Sequence, residues 1–328
     1  MKKLLTMVLA AVAITAHAET LTGAGATFPA PVYSKWAGDY YKATGIRMNY
    51  ASIGSSGGIK QIDSKTVDFG ATDDPRNVEQ VIEKGQFQFP VVIGGVVPVI
   101  NITGIAAGKL VLDGKTLADI FQGKIKMWDA PEISNLNKGI KLPNIPITMV
   151  VRSDGSGTTA VFTDYLSKVS TEFKSTIGAG KSVKWSKGNY TAGKGNAGVA
   201  ANVKQLNGAI GYVEYAFAKQ GNMSHVAMLN NGKVVHPSAD AFAEAAVGAD
   251  WSVPGMAVNL NNQSKGWPIT AATFILVYKE GNVKTQSVLK FFDWAFTNGN
   301  ESALALDYVP LPTAVQIKIR SEWTKNIK

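Results

Sequence analysis

The chain has 328 residues, of which 45% are hydrophobic and 17% charged, and its formal net charge is +9. This length and apolar content leave room for about two domains with buried cores, which excludes an intrinsically disordered protein. The chain has no Cys and only three His, so zinc–thiolate and iron–sulfur sites, disulfides, a thiol nucleophile and a lipidated N-terminal Cys are excluded, and we expect neither a metal nor a cofactor.

The first residues have the features of a secretory signal peptide. Lys2 and Lys3 precede an apolar run over 4–15 that is too short to span about 30 Å of hydrocarbon, and Ala-His-Ala at 16–18 is a small–x–small cleavage sequence. A buried N-terminal helix would leave the two lysines unexplained. We expect cleavage after Ala18 and release without a lipid anchor into a bacterial periplasm. The mature chain would have 310 residues and a net charge of +7, because both lysines are removed.

The beginning of the mature chain alternates between strand and helix periodicity. Val32, Trp36 and Tyr40 have helical spacing, and the following Gly45 is typical of a helix end. The predicted elements are a strand at 21–25, a helix at 29–44, a strand at 46–50, a short helix with Ile59 and Ile62 on one face, and a strand at 67–72. This β-α-β-α-β pattern predicts a parallel sheet whose ligand crevice lies beyond the carboxyl ends of its strands.

Two long β-rich runs organise the rest of the chain. The run at 89–102 is rich in Val and Ile and predicts a buried strand that leaves the first sheet, and the run at 267–278 returns to it. The elements predicted between and after them are a helix at Leu117, Ile120 and Phe121, a strand at 145–151, a helix at 158–166, a Gly- and Lys-rich loop at 181–198, a strand at 209–213, and a tail over 288–327 with helical spacing at Leu289, Phe292 and Phe296. We therefore expect a first domain built from 19–97 and 272–328, with a second domain, 98–271, inserted between its parts.

Three glycine-rich segments stand where a predicted strand meets a predicted helix, at 23–29, 54–58 and 154–158. In each of them, hydroxyl residues lie beside unpaired backbone N–H groups, and the helix dipole adds about +0.5 charge. Because Ser, Thr and Asp also cap helices that bind nothing, a single segment of this kind is weak evidence. Three of them, all at predicted strand ends, predict convergence on one anion.

Three charged residues near these segments have two interpretations each. Arg152 could offer its planar guanidinium to an oxyanion or lie on the surface, and Asp154 could orient Arg152 or cap the next helix. A carboxylate in an anion site is unfavourable unless the ligand brings a proton to share. Asp73 is therefore either a turn residue ahead of Pro75 or the group that selects a protonated oxyanion.

Other motifs point to competing functions but carry little support. The segment 193–198 fits G-x-G-x-x-G by letter, yet it lacks a clear preceding strand and a well-placed acidic partner for a dinucleotide. Ser156 is not in a G-x-S-x-G segment, and His225 and His236 lie in polar, turn-like sequence without the signature of a catalytic triad. The lysines are scattered rather than clustered, so we expect no nucleic-acid partner.

Eight segments, spread over essentially the whole mature chain, carry a family resemblance. In order they are LTGAGATFPAPVYSKW, IGSSGGIKQI, VDFGATDDP, RSDGSGT, GKGNAGVA, GAIGYVEYAFAKQ, WPIT and VLKFFDWA. They closely resemble the periplasmic phosphate-binding proteins of high-affinity phosphate ABC transporters. The resemblance implies an α/β fold of the two-domain solute-binding type, in which each domain is a mostly parallel sheet flanked by helices and a β-rich hinge joins the two.

The resemblance also implies a ligand set and a role. The family's phosphate-binding positions correspond to Thr27, Phe28, Ser55, Asp73, Arg152, Ser156, Gly157 and Thr158, with Asp154 as the acid that pairs with the arginine. Asp74 departs from the family, in which a small residue is more usual, so the sequence leaves open which of the two carboxylates faces the ligand. The implied role is capture of inorganic phosphate between the domains by a monomer that is not an enzyme, followed by delivery to a membrane permease.

Proton content offers a physical basis for selectivity. Near neutral pH phosphate keeps a proton and sulfate has none, so a buried acceptor such as Asp73 accepts a hydrogen bond from phosphate and meets only lone pairs on sulfate. A buried polar group left unpaired by the wrong ligand rejects it by roughly 10⁴ to 10⁵. Two alternatives stay open: a binding protein for sulfate or molybdate, which would be expected to lack an inward carboxylate, and a secreted phosphoesterase, whose nucleophile, base and leaving-group acid the sequence does not supply.

Overall fold

The computed structural model describes residues 20–186, 188–280 and 283–327, so the predicted signal peptide, 1–18, lies outside the described residues. The strands are β1 (Thr20–Gly25), β2 (Arg47–Ser52), β3 (Phe69–Thr72), β4 (Gln86–Asn101), β5 (Val111–Asp113), β6 (Thr148–Arg152), β7 (Tyr190–Gly193), β8 (Ala209–Glu214), β9 (Ser224–His225), β10 (Ala227–Asn230), β11 (Lys233–Val235), β12 (Thr270–Tyr278) and β13 (Val309–Pro310). The helices are α1 (Ala30–Thr44), α2 (Ser55–Asp63), α3 (Val78–Glu83), α4 (Gly114–Phe121), α5 (Pro131–Ser134), α6 (Gly157–Val169), α7 (Thr171–Thr176), α8 (Gly195–Gln205), α9 (Tyr215–Gln220), α10 (Ala239–Ala246), α11 (Val283–Asn298), α12 (Asn300–Leu304) and α13 (Thr313–Asn326).

A long mixed sheet runs through the described part of the chain in the order β2-β1-β3-β12-β4-β8-β6-β7, and the short strands β9 and β13 also pair with β4. Strand β1 pairs in parallel with β2 and β3, and β6 pairs in parallel with β7 and β8. Strands β12 and β4 are antiparallel to their neighbours. The predicted α/β class is confirmed, and the two long runs that leave and return are its antiparallel strands.

Strand β4 belongs to both ends of this sheet. Its residues 86–95 pair with β12, and its residues 96–101 pair with β8. We call the strands β1, β2, β3 and β12 with their helices half A, and the strands β6, β7 and β8 with theirs half B. At the change of partner, a Cβ on Gly94 would lie 2.8 Å from Phe28 Cζ, and a Cβ on Gly95 would lie 2.1 Å from Phe242 Cε1. These glycines therefore let aromatic rings pack directly against the strand backbone.

The predicted helices and strands are confirmed with small shifts at their ends, and one prediction is wrong. Helix α1 ends as expected at Gly45, whose φ of 75° is the left-handed conformation that favours glycine. The segment 181–198, predicted as a loop, contains β7 and the first turn of α8. Strand β7 has only four residues and buries little of them, so it has no apolar alternation from which to predict a strand. In the described residues no helix is both long and apolar enough to cross a membrane.

Candidate functional site

The carboxyl ends of the parallel strands in half A meet those of half B, and the three predicted glycine-rich segments come together there. The loop after β1, the start of α2 and the residue after β3 contribute Thr27, Phe28, Ser55 and Asp73 from half A. The end of β6 and the start of α6 contribute Arg152, Ser156, Gly157 and Thr158 from half B. All eight predicted ligand residues are buried. We call this place the junction.

Hydrogen bonds cross the junction directly. The Gly157 N–H donates to Ser55 Oγ at 3.0 Å, and the Ser56 N–H donates to the Gly155 carbonyl at 3.0 Å. A Cβ on Gly157 would lie 2.4 Å from Ser55 Oγ and 2.6 Å from Asp73 Oδ2. Glycine is therefore required at 157 for the halves to approach this closely, and the approach brings the start of α6 against Asp73.

The hydroxyls of Thr27 and Ser55 are fixed as hydrogen-bond donors. A hydroxyl has one proton and two lone pairs. Thr27 Oγ1 accepts from Asn196 Nδ2 at 2.7 Å and from the Asn196 backbone N–H at 3.2 Å. Ser55 Oγ accepts from the N–H groups of Gly157 at 3.0 Å and Asp73 at 3.3 Å. Each hydroxyl has only its proton left to offer, so each is prepared for an acceptor such as an anion's oxygen.

Arg152 is held in one orientation by Asp154. Its Nε donates to Asp154 Oδ1 at 2.8 Å and its Nη2 donates to Asp154 Oδ2 at 2.5 Å, while the Gly195 N–H also donates to Oδ1 at 2.9 Å. Burial alone would raise the pKa of Asp154, but the hydrogen bonds and charge of Arg152 outweigh it and lower the pKa below its ordinary value. Of the guanidinium nitrogens, Nη1 is buried without a partner among the described residues. Asp154 thus orients Arg152 and leaves the two N–H groups of Nη1 free among the described residues.

Asp73 is the acceptor of the junction. Its Oδ1 accepts from Thr273 Oγ1 at 2.9 Å, and its Oδ2 is buried without a partner in the described part of the chain. Burial raises the pKa of Asp73 to about 7, even though the Thr273 hydroxyl and the charge of Arg152 act in the opposite direction. Asp73 therefore presents one carboxylate oxygen that is short of a proton donor.

Asp74 lies in a different environment from its neighbour. Its side chain is 40% exposed and pairs with Lys181 across the junction, with 2.5 Å between Nζ and Oδ2. A cavity of about 280 Å³ lies between the halves beside both aspartates. In this structure the Asp73 side chain is buried and the Asp74 side chain lies at the rim of the cavity.

The start of α6 is capped from within. Ser156 Oγ accepts from the Thr159 N–H at 3.0 Å, which is the ordinary N-cap contact and leaves the Ser156 proton free to donate. Thr158 Oγ1 accepts from Asn196 Nδ2 at 3.2 Å. The Gly157 N–H already donates to Ser55 Oγ, so the hydroxyl protons of Ser156 and Thr158 supply further donors at this helix start.

Three residues of the junction are missing from the sequence prediction: Asn196, Thr273 and Lys181. Asn196 lies at the start of α8, directly after a strand and a glycine, which is the same signal as in the three predicted segments. The sequence does not reveal this position, because the four residues of β7 carry no pattern that predicts a strand before it. Thr273 is one of two threonines, with Thr270, inside a long apolar run, and a register irregularity between Thr273 and Phe274 in β12 marks its position. Nothing in the sequence around Lys181 distinguishes it from other lysines.

The geometry gives no support to the competing chemistries. Ser156 Oγ accepts the capping hydrogen bond from the Thr159 N–H, and the ring of His225 packs edge-on against Tyr215 at 5.5 Å between centroids. Within the ranges that the structure describes, no three His, Asp or Glu side chains are grouped in a way that could hold a metal ion. In the part of the chain that the structure describes, Ser156 forms no hydrogen bond with His225 or His236.

Comparisons with known proteins agree on one family. The model of the PBP superfamily domain matches residues 10–298. The phosphate-binding protein PstS of Pasteurella multocida is 52% identical and the match covers 99% of this chain and 96% of the relative. That of Haemophilus influenzae is 51% identical, with 95% of each chain covered.

Solved structures share the fold at lower identity. A high-affinity periplasmic phosphate-binding protein, PfluDING, solved with phosphate bound, has a TM-score of 0.73 at 23% identity, and the match covers 92% of this chain and 93% of that one. A putative phosphate ABC transporter substrate-binding protein from Clostridium perfringens, solved with bound phosphate, has a TM-score of 0.66 at 18% identity, with 90% and 100% covered.

Proposed function

The chain belongs to the PstS phosphate-binding proteins of the PBP superfamily, and from this we propose that it captures inorganic phosphate at the junction and delivers it to an ABC-type phosphate importer. One observation carries the proposal: among the eight predicted ligand residues, all of them described in the structure, the side-chain acceptor buried without a partner is Asp73 Oδ2. Donors alone would suit any oxyanion. One acceptor among them suits an oxyanion that still carries a proton.

The proposed ligand set is Thr27, Phe28, Ser55, Asp73, Arg152, Ser156, Gly157 and Thr158, with Asp154 in support. Arg152 would offer Nη1, and Thr27 and Ser55 would offer the protons that their occupied lone pairs leave over. Asp73 would accept the proton of phosphate, whereas the fully deprotonated oxygens of sulfate would face it with lone pairs only. Buried hydrogen bonds to charged groups are strong, so this arrangement supports tight and selective binding.

The proposal includes two domains that close on the ligand, 19–97 with 272–328 and 98–271. Its support is that β4 changes partner from β12 to β8 and that contacts from the two halves meet at the junction. An ion held in this way would be released when the halves separate. Before that release, the permease would recognise the protein in its closed, phosphate-bound form.

The proposed role is capture without catalysis, carried out by a monomer. The protein would act in the periplasm after cleavage of the chain after Ala18. Two relatives that are more than half identical to this chain are named as binding proteins, which supports a role without catalysis. Intact mass of the exported protein tests the cleavage: a mass matching a chain that begins at Glu19 is expected. A retained N-terminus or an added acyl group would contradict it.

Calorimetry of the mature, phosphate-free protein with phosphate, sulfate and arsenate tests the function. We expect one phosphate per chain, binding of arsenate because it also carries a proton, and no measurable sulfate binding at concentrations that saturate with phosphate. A tighter complex with sulfate than with phosphate would contradict the proposal. Equal and weak binding of all three would mean that the net positive charge attracts anions without a built site.

A further inference from the structure

Glu214 is a buried carboxyl group that the proposed ligand set does not include. It ends β8 in half B, its side chain is fully buried, and it lies between the start of α9 and Tyr308. Its Oε2 is 2.7 Å from Tyr308 Oη and accepts from the Ala216 N–H at 2.9 Å. Its Oε1 is buried without a partner among the described residues. An ionised carboxylate would be poorly compensated there.

Proton counting shows which form of Glu214 fits these contacts. Tyr308 Oη is 2.7 Å from the Phe28 carbonyl oxygen and 2.7 Å from Glu214 Oε2, but a phenol has one proton to donate. The Phe28 carbonyl is an obligate acceptor, so it takes the Tyr308 proton. The second short contact is then a hydrogen bond only if Glu214 Oε2 carries a proton and donates it to Tyr308.

We propose that Glu214 is protonated on Oε2 and acts as a positioning residue, which holds the loop of Thr27 and Phe28 through the relay Glu214–Tyr308–Phe28. The relay runs from half B to the half A loop that the proposed function assigns to phosphate, so this inference rests on that function. Burial, which has the largest influence, also raises the pKa of Glu214 well above its ordinary value.

The main chain of the same residue reaches the site by a second route. The Glu214 N–H donates to Asn196 Oδ1 at 2.9 Å, which orients the amide so that Nδ2 faces Thr27 and Thr158. The side chain of Glu214 therefore anchors Phe28, and its backbone anchors Asn196 and through it Thr27. Two consecutive residues of the proposed site are held from one position.

Glutamine cannot replace Glu214 in this relay. Oε2 has to accept from the Ala216 N–H and donate to Tyr308 at once, and only the hydroxyl of a protonated carboxyl does both. An amide nitrogen placed there would oppose the Ala216 N–H, and an amide oxygen would oppose Tyr308. Glu214→Gln thus keeps the size of the side chain and breaks one of its two contacts.

Infrared difference spectroscopy tests the proton without using phosphate. We expect the spectrum of the phosphate-free wild-type protein at pH 8 to contain the carbonyl stretch of a protonated carboxylic acid that is absent from Glu214→Gln and present in the control Glu301→Gln, whose side chain is exposed. Tyr308→Phe should shift this band, because it removes the group that accepts the proton. A carboxylate band in its place, or no difference between wild type and Glu214→Gln, would overturn the inference.

Phosphate affinity tests the positioning role. We expect Glu214→Gln and Tyr308→Phe each to weaken phosphate binding about tenfold, and the double variant to be no weaker than the weaker single, because both break one relay. Should Glu214→Gln fail to fold, the band shift and affinity of Tyr308→Phe decide. Unchanged affinity or fully additive losses would overturn the role. A wild-type protein that binds no phosphate would instead refute the proposed function. The infrared spectra would still decide whether Glu214 is protonated.

Discussion

Two aspartates on opposite sides of the junction have the same side chain and opposite electrostatic environments. Asp154, in half B, receives two hydrogen bonds from Arg152 and one from the Gly195 N–H, which lower its pKa. Asp73, in half A, receives one side-chain hydrogen bond, from Thr273, and burial raises its pKa to about 7. The first is locked as an anion that orients a cation, and the second keeps a buried oxygen, Oδ2, without a partner among the described residues. The pKa of each carboxylate thus depends on the balance between its burial and the donors and charges around it.

The largest effect should come from changing Asp73. Asp73→Asn replaces the acceptor with an amide that can donate to either ion, so sulfate is no longer repelled while phosphate loses little. We expect the ratio of phosphate to sulfate affinity to narrow by roughly 10³ or more, measured by calorimetry. Asp74→Asn is the matched control and should leave the ratio unchanged. If Asp74→Asn narrows the ratio and Asp73→Asn does not, the inward carboxylate has been misassigned.

The second effect is on the pH dependence of folding stability, to which Asp73 and Asp154 contribute with opposite sign. The pKa of Asp73 rises from 3.8 to about 7 on folding, so the unfolded chain loses this proton first, and the folded state is destabilised as pH rises through this range. Asp73→Asn removes that penalty. In phosphate-free urea titrations, its stability relative to wild type should increase between pH 4 and pH 8, by up to about 4 kcal/mol.

Asp154 provides the contrasting case. Its lowered pKa contributes stability that is present above its ordinary value of 3.8 and is lost as pH falls. Asp154→Asn should therefore be less stable than wild type at pH 7, and the difference should shrink in acid. Parallel pH profiles for the two variants would remove the distinction drawn between these carboxylates.

The next largest effect should be on phosphate affinity, from removal of the Arg152 guanidinium. Arg152→Ala takes away the free Nη1 donor and leaves Asp154 without its partner, so we expect phosphate affinity to fall by about 2 kcal/mol or more. The control is Arg320→Ala, which breaks a pair with Asp293 that is more exposed. Equal affinities of Arg152→Ala and wild type would exclude Arg152 from the site.

The smallest effect concerns the rim. Lys181 and Asp74 pair across the junction at partly exposed positions, where an ion pair contributes about 0.2 to 1 kcal/mol. Lys181→Met should raise the phosphate dissociation rate about twofold to fivefold in stopped-flow experiments at low salt, and the difference should fade at high salt. Lys115→Met, which breaks a pair with Asp119 inside one helix, should not change this rate. An effect of similar size in both variants would mean that the pair does not stabilise closure.

Local patterns along the chain were enough to predict the α/β class, the strands β1–β4, β6, β8 and β12, and the helices α1, α2, α4, α6 and α11. Helical spacing in α1, a glycine at its end and continuous apolar residues in β4 are properties of neighbouring residues, so they can be read from the sequence. The glycine-rich segments and Arg152 also follow from local chemistry, because a strand that ends at a helix start exposes N–H groups in any fold. Strand β7 is not predicted, because its four residues, two of which are exposed, show no alternation of apolar and polar side chains.

Contacts between distant residues decided the rest. Thr273 is 200 positions from Asp73, and Asn196 is 169 positions from Thr27, so no window of sequence contains either pair. The choice between Asp73 and Asp74 likewise depends on which side chain half B covers. Hydrogen bonding and desolvation act over a few ångströms of space, whatever the separation along the chain. Folding therefore determines the charge and the orientation of side chains whose chemical type the sequence already specifies.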